Sequence, residues 1–302
     1  MKKIFTAAIA AAAAAMMISA GVYAENAEKV DANGLVVEIP AEFKDLLTIQ
    51  TEDLDPDTFI SVSETASIEA SKANGEDYDG AGWLFSISRV PENEMDQMRC
   101  NDMSGMEVFA EDDDFYYVFN HPTDVRMVRG SNEEMTKDMD QWTQLNEWAS
   151  ANVRDSILAD NPQLDLETFS NTNLDMYLCR AAFAGDIQYE VRSLEFGGEA
   201  KDMTGLTDID AIEELANDAY YEIADDAEEP AGEYIVLAFP EDDVRYDFFN
   251  APGYENLIRE VRTIDDEEYV TMYRATFDDP EDTAGGIMQE WVHEILNGDV
   301  DD

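Results

Sequence analysis

Short alternating or continuous apolar runs predict strands at 35–39, closed by Pro40, at 47–49, and at 58–63, where Phe59, Ile60 and Val62 recur between polar positions. Trp83-Leu84-Phe85-Ser86-Ile87-Ser88 is a further strand, bounded by turn signals after the Gly-rich loop 76–82. Residues 106–110 and 115–119 predict a hairpin with Glu111-Asp112-Asp113-Asp114 at its tip. Between these runs lie one helical turn at 42–47 and two helices. The first, 67–73, stops at Asn74-Gly75; the second, 91–102, is marked by Met95 and Met98. Residues 25–33 read as a polar, flexible start. The most regular helix begins at Ser131, which with Glu134 makes a capping box. Met135, Met139, Trp142, Leu145, Ala149, Val153 and Ile157 then recur at three- and four-residue spacing, up to Asn161-Pro162.

The second half predicts a helix at 174–183, a strand at 188–196, a flexible stretch at 197–205 and a helix at 208–224. An acidic linker, 225–230, precedes strands at 234–239, 245–249, 257–261 and 269–277. The last helix carries Ile287, Trp291, Ile295 and Leu296 on one face and stops at Asn297-Gly298. Strands joined by short turns, with helices grouped after them, imply an α+β class of antiparallel sheets packed with helices. Each half ends in a Trp-bearing helix after a run of strands. That plan suits two units of similar size, 25–162 and 163–302, meeting at Asn161-Pro162-Gln163.

The leader changes the picture. Lys2 and Lys3 precede an apolar run from Ile4 to Ala20, and Val22-Tyr23-Ala24 ends it with small residues at the cleavage positions. Residues 1–24 therefore read as a signal peptide cut near Ala24, and the protein is expected to be secreted or otherwise extracytoplasmic. No later stretch has the ~20 apolar residues of a membrane span. The chain carries 70 acidic residues against 18 Lys and Arg, a net charge of −52. Nucleic-acid binding is excluded by that balance, because phosphate contacts need clustered cations. Cations, a cell-envelope ligand or a protein partner fit it better. Recurrent Trp, Tyr, Phe, Leu, Ile and Val separate the chain from acidic disordered sequences. Cys100 and Cys179 are the only cysteines. Outside the cytoplasm they are free to pair, or they serve as two small buried hydrophobes.

Chemistry is sparse. Asp53, Asp55, Asp57 and Glu64 occupy positions 1, 3, 5 and 12 of a calcium-loop spacing, but Thr58 stands where the sharp turn wants Gly. Calcium is the one cofactor candidate. Of the two histidines, His121 lies in a polar turn with Asp124 and Arg126, which makes His121 and Asp124 the catalytic candidates. His293 suits the end of the last helix, where the dipole favours a cation. No G-x-S-x-G elbow or phosphate loop is present, and with 70 acids no carboxylate pair stands out for hydrolysis. The four Trp (Trp83, Trp142, Trp148, Trp291) fit core packing.

Gly82-Trp83-Leu84-Phe85-Ser86-Ile87, His121-Pro122-Thr123-Asp124-Val125-Arg126, Trp142 with Asn146-Glu147-Trp148, Asp247-Phe248-Phe249 and Gln289-Glu290-Trp291 run through most of the chain. Through them it resembles a family of secreted bacterial proteins, mostly of Firmicutes. That resemblance implies an extracytoplasmic location and no particular activity or site. By element order alone, the first half is also similar to the Mog1p/PsbP-like α+β sandwich, an analogy that says nothing of function. The expectation is thus an acidic secreted binding or interaction protein without catalysis. The alternatives are a secreted hydrolase using acidic residues and a calcium-dependent structural protein.

Overall fold

The computed structural model describes residues 27–75, 80–184, 190–193, 201–202, 210–225, 227, 230, 234–264, 267–277 and 279–297. The expected leader 1–24, the stretch 197–200 and 203–205, and residues 226, 228 and 229 of the expected acidic linker lie outside them. The described residues form six α-helices and three sheets, every strand pair among them antiparallel, so the chain is an α+β protein. It divides into two compact units, one of residues up to Glu92 with Ser104–Thr168, the other of Asn93–Met103 with the chain from Phe169 onward.

The first unit opens with a hairpin. Strands β1 (Ala27–Ala32) and β2 (Leu35–Pro40) pair from Ala27 opposite Pro40 to Ala32 opposite Leu35. Asn33 and Gly34 turn the chain with φ of 57° and 94°, the backbone that Asn-Gly adopts most readily in a two-residue hairpin. The expected flexible start at 25–33 is therefore corrected to a strand over its described part. Only Val30 and Ala32 of β1 are inward-facing apolar residues, so pairing with β2 decides its conformation, not its own pattern. A five-stranded sheet follows in the order β3-β4-β5-β7-β6, with β3 Leu47–Gln50, β4 Thr58–Glu64, β5 Trp83–Pro91, β6 Met106–Glu111 and β7 Phe115–Asn120. Helix α1 (Thr65–Ala73) leaves directly from β4.

Helix α2 (Glu92–Arg99) is local in sequence to the first unit, yet residues 93–103 belong to the second. Its Arg99 donates to the carbonyl of Ala216 and, at 3.2 Å, to Asn217. The long helix α3 (Asn132–Asp160) returns to the first unit. Its Ser131 cap accepts from Glu134 N at 3.3 Å, and its buried stripe runs Trp142, Leu145, Trp148, Ala149, Asn152, Val153, Ile157. Trp148 lies 5.6 Å from the Phe43 ring and 5.8 Å from Phe85, at the centre of this core. Asn161, only 2 % exposed, ends the helix with its amide bonded to the Val36 N–H at 2.9 Å and the Val36 carbonyl at 2.8 Å. It ties the helix end to β2, and the first unit continues past it to Thr168.

The second unit is built on a seven-stranded sheet in the order β10-β14-β13-β12-β11-β8-β9. Its strands are β8 Glu190–Ser193, β9 Lys201–Asp202, β10 Ala219–Ile223, β11 Tyr234–Phe239, β12 Val244–Phe249, β13 Leu257–Ile264 and β14 Glu267–Phe277. Helices α4 (Asn173–Cys179), α5 (Asp210–Asn217) and α6 (Ala284–Asn297) complete it. Tyr221, Phe239, Tyr246, Phe248, Leu215, Met288 and Trp291 share its buried core. The helix expected over 208–224 stops at Asn217, and 219–223 is strand β10 paired with β14. Tyr220, Tyr221 and Ile223 favour a strand, and the sheet supplies the partner that a helix-period reading ignores.

Close approach governs the start of α6. A Cβ on Gly285 would stand 2.0 Å from the Phe249 carbonyl oxygen, while its own N–H donates to Glu255 O at 2.8 Å. Gly285→Ala must push the helix off β12, and we expect a loss of about 1–3 kcal/mol, typical of overpacking. A denaturant midpoint equal to that of the parent protein would refute this.

Candidate functional site

Two helix starts in the second unit frame a concave site. Helix α5 buries Ala211, Ile212, Leu215 and Ala216 and turns Asp210, Glu213 and Glu214 outward in its first turns, where the helix dipole favours acids. Helix α6 is capped by Thr283, whose hydroxyl accepts from Gly286 N at 3.1 Å, and it buries Ile287, Met288, Trp291 and Val292. The turn before it carries Glu281 and Asp282. Between them is a cavity of about 270 Å³ lined by Asp210, Glu214, Glu281, Asp282 and Glu290, with Ala211, Ile287 and Trp291 as its apolar wall. That size falls just under the ~300–1,000 Å³ usual for small-molecule sites. Trp291 is 3 % exposed, and its indole N–H meets no acceptor among the described residues.

Burial raises the Glu214 carboxyl above its ordinary value, and the charges of Asp282, Asp218 and Glu290 add to the rise. The same pattern recurs. Burial raises Glu111, with Glu167, Asp165 and Glu92 adding to it. Burial also raises Asp175, against hydrogen bonds from Ser170 and Thr172, and Asp247, against Arg259. Asp112 goes the other way: burial pushes it up, but the Tyr117 hydroxyl and the amides of Asp114 and Phe115 outweigh that and hold it low. An acid raised in the folded state binds its proton more tightly folded than unfolded. Its contribution is fully present below the unfolded value and is lost as pH rises through the folded one. Among the described residues the raised acids outnumber the lowered one. The melting temperature should therefore climb as pH falls from 8 toward the ordinary carboxylate range of about 4, at constant ionic strength. A scan that stays flat or falls across that range would contradict the reading.

The catalytic and calcium candidates from the sequence lie in the first unit, and the structure does not gather them into one cluster. His121 meets Glu107, Nε2 to Oε1 at 3.1 Å, and its Nδ1 is 3.2 Å from the Pro122 carbonyl. Asp124 instead pairs with Arg126 at 2.6 Å. Glu107, which also binds Arg154, is the partner that sequence reading missed. The hairpin register, Met106 opposite Asn120, was the signal that places it beside His121. Of the calcium-spaced residues, Asp53 sits at φ 58° and the Asp55 carbonyl accepts from Thr58 N at 2.9 Å in a tight turn. Asp57 pairs with Arg89 at 3.1 Å, and Glu64, fully buried at the end of β4, is held by Arg129. Strand β4 thus occupies the second half of the spacing. Among the described residues no three His, Cys, Asp or Glu converge as metal ligands. The acids of the cavity were hidden by composition: two short stretches far apart in sequence, among 70 acidic residues.

No family model, curated protein or solved structure matches this chain. Among the described residues no helix is long and apolar enough to cross a membrane.

Proposed function

We propose that the protein is an exported acidic binding protein whose second unit takes a small organic cation in the cavity between α5 and α6. The observation that supports this is the convergence of five carboxylates on one cavity with an apolar wall formed by Trp291, Ile287 and Ala211. A cation there offsets the charges of Asp282, Asp218 and Glu290, which add to the rise that burial imposes on Glu214. An ammonium group carried on methylenes also covers the wall, and a cation over the indole face gains ~0.5–2 kcal/mol. The leader at 1–24 and the net charge of −52 suit a protein that meets such ligands outside the cytoplasm.

The test separates a site from a polyanion. Monovalent salt alone should raise the melting temperature, since the Debye length falls from ~30 Å at 0.01 M to ~10 Å at 0.1 M and self-repulsion shortens with it. At matched ionic strength, calcium and magnesium should act alike, whereas spermidine should stabilise further, by ~2.7 kcal/mol at a hundredfold excess over its dissociation constant. Replacing Glu214 and Glu290 by Gln should remove that excess and leave the salt effect in place. If spermidine does no more than sodium chloride at equal ionic strength, the cavity is not a binding site.

A further inference from the structure

The only two cysteines of the chain lie far apart in sequence, yet the fold buries both in one core of one unit. Cys100 follows α2 directly, its N–H bonded to Asp96 O at 3.2 Å and its thiol donating to the same carbonyl at 3.1 Å. Cys179 is the last residue of α4 and is fully buried. The two segments are tied side by side at several points. Asn171, just before α4, donates to Met103 O at 2.8 Å, and Arg99 stacks on the Phe169 ring at 4.1 Å. Arg99, Asp96 and Cys100, from one stretch of five residues at the end of α2, all act electrostatically on the Cys179 thiol. In the structure both are free, buried thiols within electrostatic reach of one another, the reduced form of a pair that the tertiary fold alone places in one core.

We infer that in the exported protein Cys100 and Cys179 are joined as an intramolecular disulfide that fastens the 93–103 excursion to α4. The step breaks two S–H bonds and forms one S–S bond; two protons and two electrons leave, taken up by a disulfide oxidant that is itself reduced to two thiols. Timing follows from burial. Desolvation pushes the Cys179 thiol up to about 12, so little reactive thiolate exists once the core has closed. Oxidation therefore belongs to folding, before α2 is sealed against α4, and the folded dithiol resists it.

The experiment uses the full chain expressed with its leader, collected after export and kept without reductant. The expected result is a monomer two mass units lighter than the dithiol, with no thiol labelled by iodoacetamide in denaturant and two labelled after reduction. Proteolysis should yield one peptide pair joining the segments of Cys100 and Cys179. Reduction should lower the melting temperature by about 5–15 °C. Refolding the reduced, denatured chain in a mixture of oxidised and reduced glutathione should restore the bond, while the same mixture added to folded dithiol should act at least tenfold more slowly. The single variants Cys100→Ser and Cys179→Ser should melt at the temperature of the reduced parent. Two labelled thiols in the unreduced, denatured protein would overturn the inference, as would disulfide-linked dimers in place of the internal bond.

Discussion

Replacing Arg129 by Met should cost the first unit about 3–5 kcal/mol, the range for stripping the partner from a buried charge. Glu64 is fully buried and Arg129 nearly so, with side-chain exposures of 0 % and 5 %. The guanidinium grips both carboxylate oxygens, at 2.7 Å and 2.9 Å, and also reaches the Ser67 hydroxyl at 2.9 Å and Asp138 at 2.8 Å. Ser67 in turn donates to Glu64 at 2.5 Å and accepts from Val128 N at 3.0 Å. The network joins the corner between β4 and α1 to the approach of α3. Gly82 packs against the backbone of this corner, where a Cβ would fall 2.6 Å from the Glu64 main-chain carbonyl oxygen and 2.7 Å from the Ser67 Cβ. Removing Arg129 leaves a carboxylate with no counter-charge in the core. Replacing both residues, Arg129→Met with Glu64→Leu, should recover most of the loss, because two apolar side chains leave no stranded charge. Chemical unfolding of the two singles and the double completes the cycle. A single-variant loss under about 1 kcal/mol would mean that the pair behaves as a surface ion pair.

Trp148→Ala should cost a comparable ~3–5 kcal/mol, from lost transfer energy plus the cavity left behind. Its ring, 2 % exposed, stands between Phe43 and Phe85, and Phe85 continues the stack to Phe119 at 5.5 Å. Trp83→Ala, at the half-buried first residue of β5, should cost clearly less. Equal losses would show that ring burial does not rank these two sites. Urea midpoints of both variants at one salt concentration decide it.

Much of the architecture could be read locally. The α3 stripe from Trp142 to Ile157, its Ser131 cap, the hairpin of β6 and β7, and the strands from Tyr234 to Phe277 each carry a complete period or turn signal within their own residues. Where the reading failed, the signal was not local. Strand β1 has two inward apolar residues and is a strand because β2 pairs with it. Residues 219–223 extend a helical period on paper, but their hydrogen bonds go to β14. The candidate site shows the same limit. Asp210 and Glu214 are separated from Glu281, Asp282 and Glu290 by five strands, β10 to β14, and no sequence spacing links them.

The sequence by itself determined the α+β class, the large negative charge and the placing of most helices and strands, because side-chain periodicity and charge are carried by neighbouring residues. Only the tertiary structure decided that α2 packs with the second unit, that Glu64 meets Arg129 instead of a calcium ion's other ligands, that Cys100 and Cys179 share one core, and that five of 70 acids border one cavity. Those are meetings between residues distant in the chain. They are selected by burial and pairing summed over the whole fold, which leave no mark in any short window of sequence.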